Sequence, residues 1–269
     1  MKVNKIEEYV HDDNIKDIIS DFSIRESKVV LWDADSIVHF VLYSGKNEET
    51  GERNPEYTED DLETLELKLN ELVFKVLNNV EKYYDIEALY IFIRGKNNFR
   101  KQLYQEYKAN RPAPNPLISK LYNLFKQNHG AIEADGAEAE DYIYSLSKKI
   151  NHQGVILYID HDLEEIPSIM YNYKKDVWLK ISEKEATYNL YKKLCIGETG
   201  DNVNFTPKIG IKYFEKNFNI DMSIEEYEKA LYDTYLKVWK EEDLAKEKLE
   251  LAKQLISLKN VEELNINYK

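Results

Sequence analysis

The sequence predicts an α/β domain with a mostly parallel sheet, followed by a helical region. Two observations predict this fold. Short apolar segments alternate with helical patterns from residue 28 to residue 181, as is typical of βαβ units. From about residue 188 the strand patterns stop, and a turn rich in Gly at 197–211 is followed by charged helices over 224–258. We therefore expect an α/β domain over 1–187 and a helical region over 188–269.

The predicted strands are short apolar runs that end at polar residues. They cover 28–32, 88–93, 154–159, 167–173 and 176–181, and the last two form a hairpin. The predicted helices have apolar residues at every third or fourth position. They cover 62–84, 117–125 and 142–150.

Composition excludes several classes of protein. Hydrophobic residues make up 43% of the 269 residues, which is enough for a buried core and argues against disorder. The single cysteine, Cys195, excludes intramolecular disulfides and multi-cysteine zinc or iron–sulfur sites. No apolar run approaches the roughly 18 residues of a membrane span, and the first residues are charged. We expect a soluble intracellular protein without a membrane partner.

The net charge of −13 argues against nucleic-acid binding only if the charge is evenly spread. It is not, because residues 94–126 hold eight basic residues and one acidic residue, a local charge of +7. Residues 133–141 then carry a charge of −5. This polarity predicts a phosphate-binding surface beside a cation site.

Acidic residues form four clusters. They are Asp33 with Asp35, Glu138 with Glu140 and Asp141, Asp160 with Asp162, and Glu198 with Asp201. Each cluster alone has an ordinary interpretation as a helix cap, a first-turn acid or a turn former. Together they follow two strands, begin a helix and precede the helical region. Because the carboxyl ends of parallel strands share one edge of the sheet, we expect them to converge on one pocket.

A pocket of this kind predicts divalent cations, because neighbouring carboxylates cannot all stay ionised without counter-charge. Oxygen ligands without His or Cys select Mg²⁺ or Mn²⁺ over zinc. Two such ions would hold the attacking and the leaving oxygen of a phosphodiester. The reaction class indicated is metal-assisted phosphodiester hydrolysis.

The basic segment FRKQLYQEYKANRP predicts contacts with the substrate. Arg100, Lys108 and Arg111 recur at spacings that suit one side of a helix or the loop after it. Tyr104 and Tyr107 could stack on an unpaired base. Lys108 could lie over the scissile phosphate and stabilise negative charge there. The ordinary alternative is a solvated helix face.

The segment TPKIGIKYF places Gly210 in a turn between Lys208 and Lys212. Such a turn can present backbone N–H groups to a phosphate at the start of a helix. An ordinary turn between helices has the same pattern.

Five motifs in this order resemble the 5′-nuclease family, which includes the 5′–3′ exonuclease domain of bacterial DNA polymerase I, phage 5′ exonucleases and flap endonucleases. They are WDADS, EYKANRP, GAEAEDYI, IDHDLEEI and IGETGDNVNFTPKIGIKYF. The resemblance covers residues 28–216 and implies a PIN-like sheet with a helix-three-turn-helix in the C-terminal region.

The resemblance also implies roles for individual residues. The implied metal ligands are Asp33, Glu138, Glu140, Asp160, Asp162 and Asp201, with Asp141 and Glu198 at outer acidic positions. Lys108 matches the active-site lysine, and Arg100, Tyr107 and Arg111 are expected to contact DNA. The turn from Lys208 through Gly210 to Lys212 matches the duplex-binding hairpin, which in relatives often holds K⁺ through backbone carbonyls.

Two features depart from the family pattern. Ile93 stands where an aspartate is usual, so one metal site is expected to be weaker unless Asp35 substitutes for the missing ligand. The basic arch around 94–126 is short and is similar to that of the polymerase-associated members.

The sequence therefore predicts a Mg²⁺-dependent, structure-selective 5′–3′ exonuclease or flap endonuclease that acts on flaps, nicks or RNA primers in replication or repair. We expect a monomer in the cytoplasm of a bacterial or phage-infected cell, with replication proteins as partners. One alternative is a PIN-type single-strand ribonuclease, although the turn at 206–212 argues against it. The other is a duplex-DNA-binding module without turnover, which Ile93 motivates.

Overall fold

A computed structural model describes residues 26–43 and 57–264, and its centre is a six-stranded sheet. The strands are β1 (Ser27–Asp33), β2 (Asp85–Arg94), β3 (Ile132–Ala134), β4 (Val155–Tyr158), β5 (Ser168–Asn172) and β6 (Val177–Ile181). Their order is β3-β2-β1-β4-β5-β6. Neighbouring strands are parallel except β5 and β6, which form an antiparallel hairpin. The predicted mostly parallel sheet is confirmed.

The register of the central strands determines where the acidic residues lie. On β1, Trp32 lies opposite Ile91 of β2 and Leu157 of β4. Asp33 is the next residue and the last of β1, so it lies at the carboxyl edge that β1 shares with β2 and β4. The segment after β4 leaves the sheet at this same edge.

Nine helices are present in the described part of the chain. They are α1 (Asp35–Tyr43), α2 (Leu62–Glu81), α3 (Phe99–Leu103), α4 (Pro116–His129), α5 (Ala139–Lys149), α6 (Glu183–Ile196), α7 (Ile211–Asn217), α8 (Ile224–Trp239) and α9 (Glu242–Ile256). Among these helices, none is long and apolar enough to cross a membrane.

Helices cover both faces of the sheet because alternate strand residues point to opposite sides. Val30 and Trp32 pack with apolar residues of α1, α2 and α4 on one face. Leu31 and Phe92 pack with α5 on the other face. Helices α6–α9 have a separate core, which includes Phe214.

The helical region follows from its sequence signals. Ser223 caps α8 by accepting a hydrogen bond from the N–H of Glu226, whose carboxylate accepts one from the N–H of Ser223. The prediction that the C-terminal region is helical is therefore confirmed. Helix α6 crosses the expected boundary between residues 187 and 188, and the division into two domains remains a prediction.

One local feature differs from the expectation, and one expectation is not decided by the fold. Strand β3 has three residues and was not predicted, since so short a segment leaves no periodic pattern. The segment between α3 and α4 consists of turns, and α4 packs into the core beside the sheet. The short basic arch expected around 94–126 stays a prediction.

Candidate active site at the carboxyl edge of the sheet

Carboxylates from two strand ends meet at this edge. Asp33 ends β1 and is 1% exposed. Asp160 follows β4 and caps a short 3₁₀ turn, where its Oδ1 accepts a hydrogen bond from the N–H of Asp162 at 3.3 Å. Asp160 and Asp162 both raise the pKa of Asp33, which shows that their charges act on the same buried position.

The start of α5 contributes two more carboxylates. Glu138 is the N-cap of α5, and its backbone N–H donates to Asp141 Oδ2 at 3.0 Å. Glu140 lies in the first turn. Asn98 Nδ2 donates to Glu138 Oε1 at 3.0 Å and thereby ties the start of α5 to the start of α3.

Asp201 reaches the pocket from a 3₁₀ turn over Thr199–Asp201. A backbone bridge between Glu198 and Val203 closes this loop. Gly197, with φ of 80°, precedes the bridge, and a Cβ there would lie 2.7 Å from the oxygen of Val203. Gly197 therefore permits the close approach that positions Asp201.

Two basic side chains lie against these carboxylates. Lys108 Nζ forms an ion pair with Glu138 and lies 3.5 Å from Asp201 Oδ2. Arg111 Nη2 donates to Asp201 Oδ1 at 2.8 Å. Lys108 has φ of 56°, in the left-handed region. Its backbone N–H donates to the backbone carbonyl oxygen of Asp201 at 2.8 Å. A non-Gly residue held in this conformation is strained, and such strain is common at functional sites.

Three carboxylates of the strand ends and of the first turn of α5 have raised pKa values. Burial is the largest cause for Asp33, followed by the charges of Asp35 and Asp160. Burial also raises the pKa of Glu140, with further increases from Asp33 and Glu138. The pKa of Asp160 is raised by burial and by Asp162. Full ionisation of this group therefore requires a positive charge that the chain supplies only in part.

Glu138 shows the opposite behaviour. Burial alone would raise its pKa, but Lys108 and Arg100 outweigh that effect and lower it. Lys108 is the counterpart: burial opposes its charge, yet Glu138 and Asp201 raise its pKa. The ion pair is therefore charged at neutral pH.

The residue types in the pocket suit a divalent metal ion. Their side chains, however, are not arranged around a common metal position. The convergent groups are carboxylates, the ligands that Mg²⁺ and Mn²⁺ prefer, and the pKa values of Asp33, Glu140 and Asp160 are raised. Within residues 26–43 and 57–264, no group of three or more His, Cys, Asp or Glu is arranged to hold a metal ion. Lys108 and Arg111 bind oxygens of Glu138 and Asp201 that a metal would need.

Lys193 is a pocket residue that sequence reasoning missed. It comes from α6, and its Nζ lies 2.9 Å from Asp162 Oδ1 and 2.7 Å from Glu165 Oε1. Its pKa is raised, because these two carboxylates outweigh the effect of burial. Glu198 is half-buried nearby, and burial and Asp162 raise its pKa. Nothing in the local sequence distinguishes Lys193 from Lys192.

The structure corrects the prediction that Arg100 contacts DNA. Arg100 is 2% exposed, and its guanidinium binds Asp141 through Nη1 at 2.5 Å and Nη2 at 2.8 Å. Asp141, expected at an outer metal position, is fully buried in this pair. Both charges are satisfied internally, so Arg100 presents no charge to a ligand and Asp141 has no free carboxylate.

The expectation that Tyr107 stacks on a base is also wrong for this structure. Tyr107 is 2% exposed. Its hydroxyl lies 2.9 Å from Glu138 Oε2 and 2.7 Å from Asp201 Oδ2. Tyr104 packs edge-on against Phe205. The hydroxyl of Tyr107 thus lies between the carboxylates of Glu138 and Asp201, and its ring is buried.

Ile93 occupies the position expected for an aspartate and is fully buried. It packs in the core on the α1, α2 and α4 face, whereas Phe92, which lies opposite Asp33, packs on the α5 face.

Asp35 is close enough to raise the pKa of Asp33. Its Oδ1 accepts hydrogen bonds from the N–H of Arg94 at 3.1 Å and from the hydroxyl of Tyr122. The substitution of Asp35 for the missing ligand stays a prediction.

The turn at 206–212 is exposed at Lys208, Gly210 and Lys212. The hydroxyl of Thr206 donates to the oxygen of Cys195 at 2.7 Å and anchors the turn to α6. Gly210 is the N-cap of α7. The turn is therefore fixed to the helical core and open to solvent on its basic side.

A family of known proteins matches the part of the chain that holds the first four of the five motifs. The family described as "5′-3′ exonuclease, N-terminal resolvase-like domain" matches residues 28–190. A 5′-3′ exonuclease of Buchnera aphidicola from Schizaphis graminum is 33% identical over 159 residues, covering 52% of this chain and 55% of the relative. The flap endonuclease Xni of Shewanella woodyi is 25% identical over 227 residues, covering 78% and 88%.

The fold is also similar to a solved structure. A 5′-exonuclease of phage T5 with bound zinc aligns with a TM-score of 0.53 at 14% identity, covering 84% of this chain and 89% of the phage protein. The chain spans about half the length of the first curated relatives, 55% in the two Buchnera proteins.

Proposed function

The chain belongs to the 5′-3′ exonuclease, N-terminal resolvase-like domain family, and we propose that it is a metal-dependent, structure-selective 5′ nuclease. One observation carries the proposal. Carboxylates from the ends of two strands, the start of α5 and the turn over Thr199–Asp201 converge beside Lys108 and Arg111. Such a combination suits hydrolysis of a phosphodiester.

The proposed metal ligands are the carboxylates of the pocket. They are Asp33, Glu138, Glu140, Asp160, Asp162 and Asp201, with Glu198 at an outer position. We propose two Mg²⁺ or Mn²⁺ ions. When bound, they would polarise water and stabilise the charge on the attacking and leaving oxygens. The raised pKa values of Asp33, Glu140 and Asp160 support a cation at this position.

Lys108 and Arg111 are the proposed phosphate contacts. Both bind carboxylates of the proposed ligand set, and each would have to leave its carboxylate to reach a phosphate. Lys108 would then stabilise negative charge at the phosphate, and Arg111 would orient the strand. Tyr107 would hold Glu138 and Asp201 in place through its hydroxyl.

The exposed turn at 206–212 is the proposed duplex contact. Lys208 and Lys212 are exposed beside Gly210, and N–H groups at the start of α7 can face a phosphate. A phage T5 flap endonuclease of similar fold has been solved with DNA and metal ions, with a TM-score of 0.50 at 14% identity. We propose DNA with a 5′ flap, a nick or an RNA primer as substrate, and K⁺ bound by carbonyls of the turn.

The proposed setting is replication or repair in the cytoplasm of a bacterial or phage-infected cell. Relatives from Buchnera and Shewanella support this setting. We propose that the chain acts as a monomer together with replication proteins.

The test is cleavage of 5′-labelled flap, nicked, RNA-primed and single-stranded RNA substrates in Mg²⁺. Wild type is compared with Asp160→Asn and with a matched control, Asp85→Asn, which changes an exposed aspartate at the amino end of β2. We expect cleavage near the 5′ end of flap or nicked substrates by wild type and by Asp85→Asn, and none by Asp160→Asn.

Other results would identify the alternatives. Cleavage of single-stranded RNA alone would indicate a PIN-type ribonuclease. Duplex binding without any product in Mg²⁺ or Mn²⁺ would indicate a DNA-binding module without turnover. Equal cleavage by wild type and Asp160→Asn would show that the carboxylate pocket is not the catalytic site.

A further inference from the structure

The segment that follows α9, Ser257–Leu264, returns from the helical region and lies along α5. Val261 is buried there in the core that α5 shares with the sheet. Leu258 and Leu264 pack against the same core. An exposed ion pair between Lys149 and Glu262 joins the segment to the far end of α5. We call this segment the C-terminal strap.

Two backbone N–H groups of the strap bind the first half of α5. The N–H of Lys259 donates to Asp141 Oδ1 at 2.8 Å. The N–H of Val261 donates to the hydroxyl oxygen of Ser145 at 2.9 Å. That hydroxyl in turn donates to the backbone oxygen of Asp141 at 2.7 Å. The strap therefore reaches both the side chain and the backbone of Asp141.

Asp141 links the strap to the candidate active site. Its carboxylate is fully buried and therefore needs every donor around it. Oδ2 accepts from the N–H of Glu138, the N-cap residue whose carboxylate faces the pocket. Arg100 binds the same carboxylate. Its Nε also donates to the backbone oxygen of Leu255 at 2.8 Å, and its Nη2 donates to the backbone oxygen of Ser257 at 3.1 Å. The buried pair of Arg100 and Asp141 thus forms hydrogen bonds to the end of α9, to the strap and to the start of α5.

We propose that the C-terminal strap is a positioning element that fixes the first turn of α5 and so sets the placement of Glu138 and Glu140 in the pocket. The role of those two carboxylates rests on the proposed nuclease function. The strap itself lies outside the residues that the family matches, 28–190. It is a part of this chain that acts on the site through Asp141.

The test compares two substitutions at Lys259 in the 269-residue chain. Lys259→Pro removes the N–H that binds Asp141. Lys259→Ala keeps that N–H and removes only the side chain, whose Nζ donates to the oxygen of Lys253. Ser145→Ala is a third variant, which removes the acceptor for Val261 and keeps the strap sequence intact.

The first measurement is hydrogen exchange in metal-free protein, followed by mass spectrometry. In Lys259→Pro and in Ser145→Ala we expect exchange over residues 138–143 to rise at least about fivefold relative to Lys259→Ala. Exchange in β1 should not change. Equal exchange over 138–143 in all variants, or an equal rise in every segment, would overturn the proposal, because the strap would then stabilise the whole fold and not the start of α5.

The second measurement is Mn²⁺ binding followed by electron paramagnetic resonance. Loss of a residue that orients a ligand lowers metal affinity by about 10- to 100-fold, and we expect this loss in Lys259→Pro and not in Lys259→Ala. Unchanged affinity in Lys259→Pro would contradict the positioning role. Failure of the wild-type protein to cut a flap would refute the nuclease proposal, whereas the exchange comparison would still decide the role of the strap.

Discussion

The two sides of the carboxylate pocket contain the same chemical group in different electrostatic surroundings. On one side, Glu138 and Asp201 are bound by Lys108 and Arg111. On the other side, burial and like charges raise the pKa values of Asp33, Glu140 and Asp160. The pKa of Glu138 is lowered instead, because cations of the chain outweigh its burial.

This difference shows which side requires a cation from outside the chain. The paired side is neutralised by the protein, so a metal must displace Lys108 to use its oxygens. On the unpaired side, formed by Asp33, Glu140 and Asp160, ionisation of the carboxylates costs free energy. A bound divalent ion would remove that cost. The two sides should therefore respond to mutation in opposite ways.

The largest expected effect is on catalysis from the unpaired side. Asp33→Asn should lower flap cleavage by about 10³-fold or more, since a lost metal ligand removes several kcal/mol of stabilisation from the transition state. Single-turnover kinetics at saturating Mg²⁺ measures this loss. A reduction of less than about tenfold would mean that Asp33 is not a ligand.

Lys108 on the paired side should affect both activity and stability. Lys108→Met should lower cleavage by about 10²- to 10³-fold through lost charge stabilisation at the phosphate. It should also lower the free energy of unfolding of metal-free protein by about 1–3 kcal/mol, since the half-buried carboxylate of Glu138 loses a partner. Cleavage assays and urea unfolding measure the two effects.

The control for this variant is Lys120→Met, which breaks an ion pair with Glu59 in which both side chains are exposed. Such pairs contribute little, so neither cleavage nor stability should change. Loss of cleavage in Lys108→Met without any loss of stability would show that the ion pair with Glu138 does not form in solution.

Stability should change in the opposite direction on the unpaired side. Asp33→Asn removes a buried charge that has no cation among the groups that shift its pKa. The free energy of unfolding of metal-free protein should therefore rise by about 0.5–2 kcal/mol, as is common where a strained functional site is relieved. Urea unfolding in EDTA measures it. A decrease would contradict the distinction between the two sides.

The smallest effect concerns pH. Asp33 has a raised pKa in the folded state, so the unfolded chain releases its proton first as pH rises above about 4. The contribution of Asp33 to the stability of metal-free wild type should therefore fall as pH rises from there to the folded pKa. The stability gain of Asp33→Asn should grow over the same range, by about 1.4 kcal/mol for each unit of pKa shift. A gain that is independent of pH would mean that Asp33 titrates normally.

Much of the fold could be predicted from the sequence because it depends on local patterns. Apolar runs predicted β1, β2 and β4, and the alternation of strands with helices predicted their parallel order. The same topology explains why the acidic clusters could be assigned to one edge. Each follows a strand or begins a helix or turn, and a parallel sheet places such positions together.

The roles within the basic segment could not be predicted in the same way. Arg100 and Lys108 look equivalent in the sequence. Arg100 is buried because it meets Asp141 and the oxygen of Leu255, 155 residues further along the chain. Lys193 reaches the pocket through the packing of α6 against the turn after β4. These contacts depend on how distant helices pack, and local periodicity contains no information about that.

The most direct test of the central claim is Mn²⁺ binding by wild type, Asp33→Asn and Asp85→Asn, measured by electron paramagnetic resonance without any substrate. We expect two bound ions for wild type and for Asp85→Asn, and loss or marked weakening of at least one in Asp33→Asn. Absence of specific binding in wild type, or equal binding by wild type and Asp33→Asn, would contradict that claim.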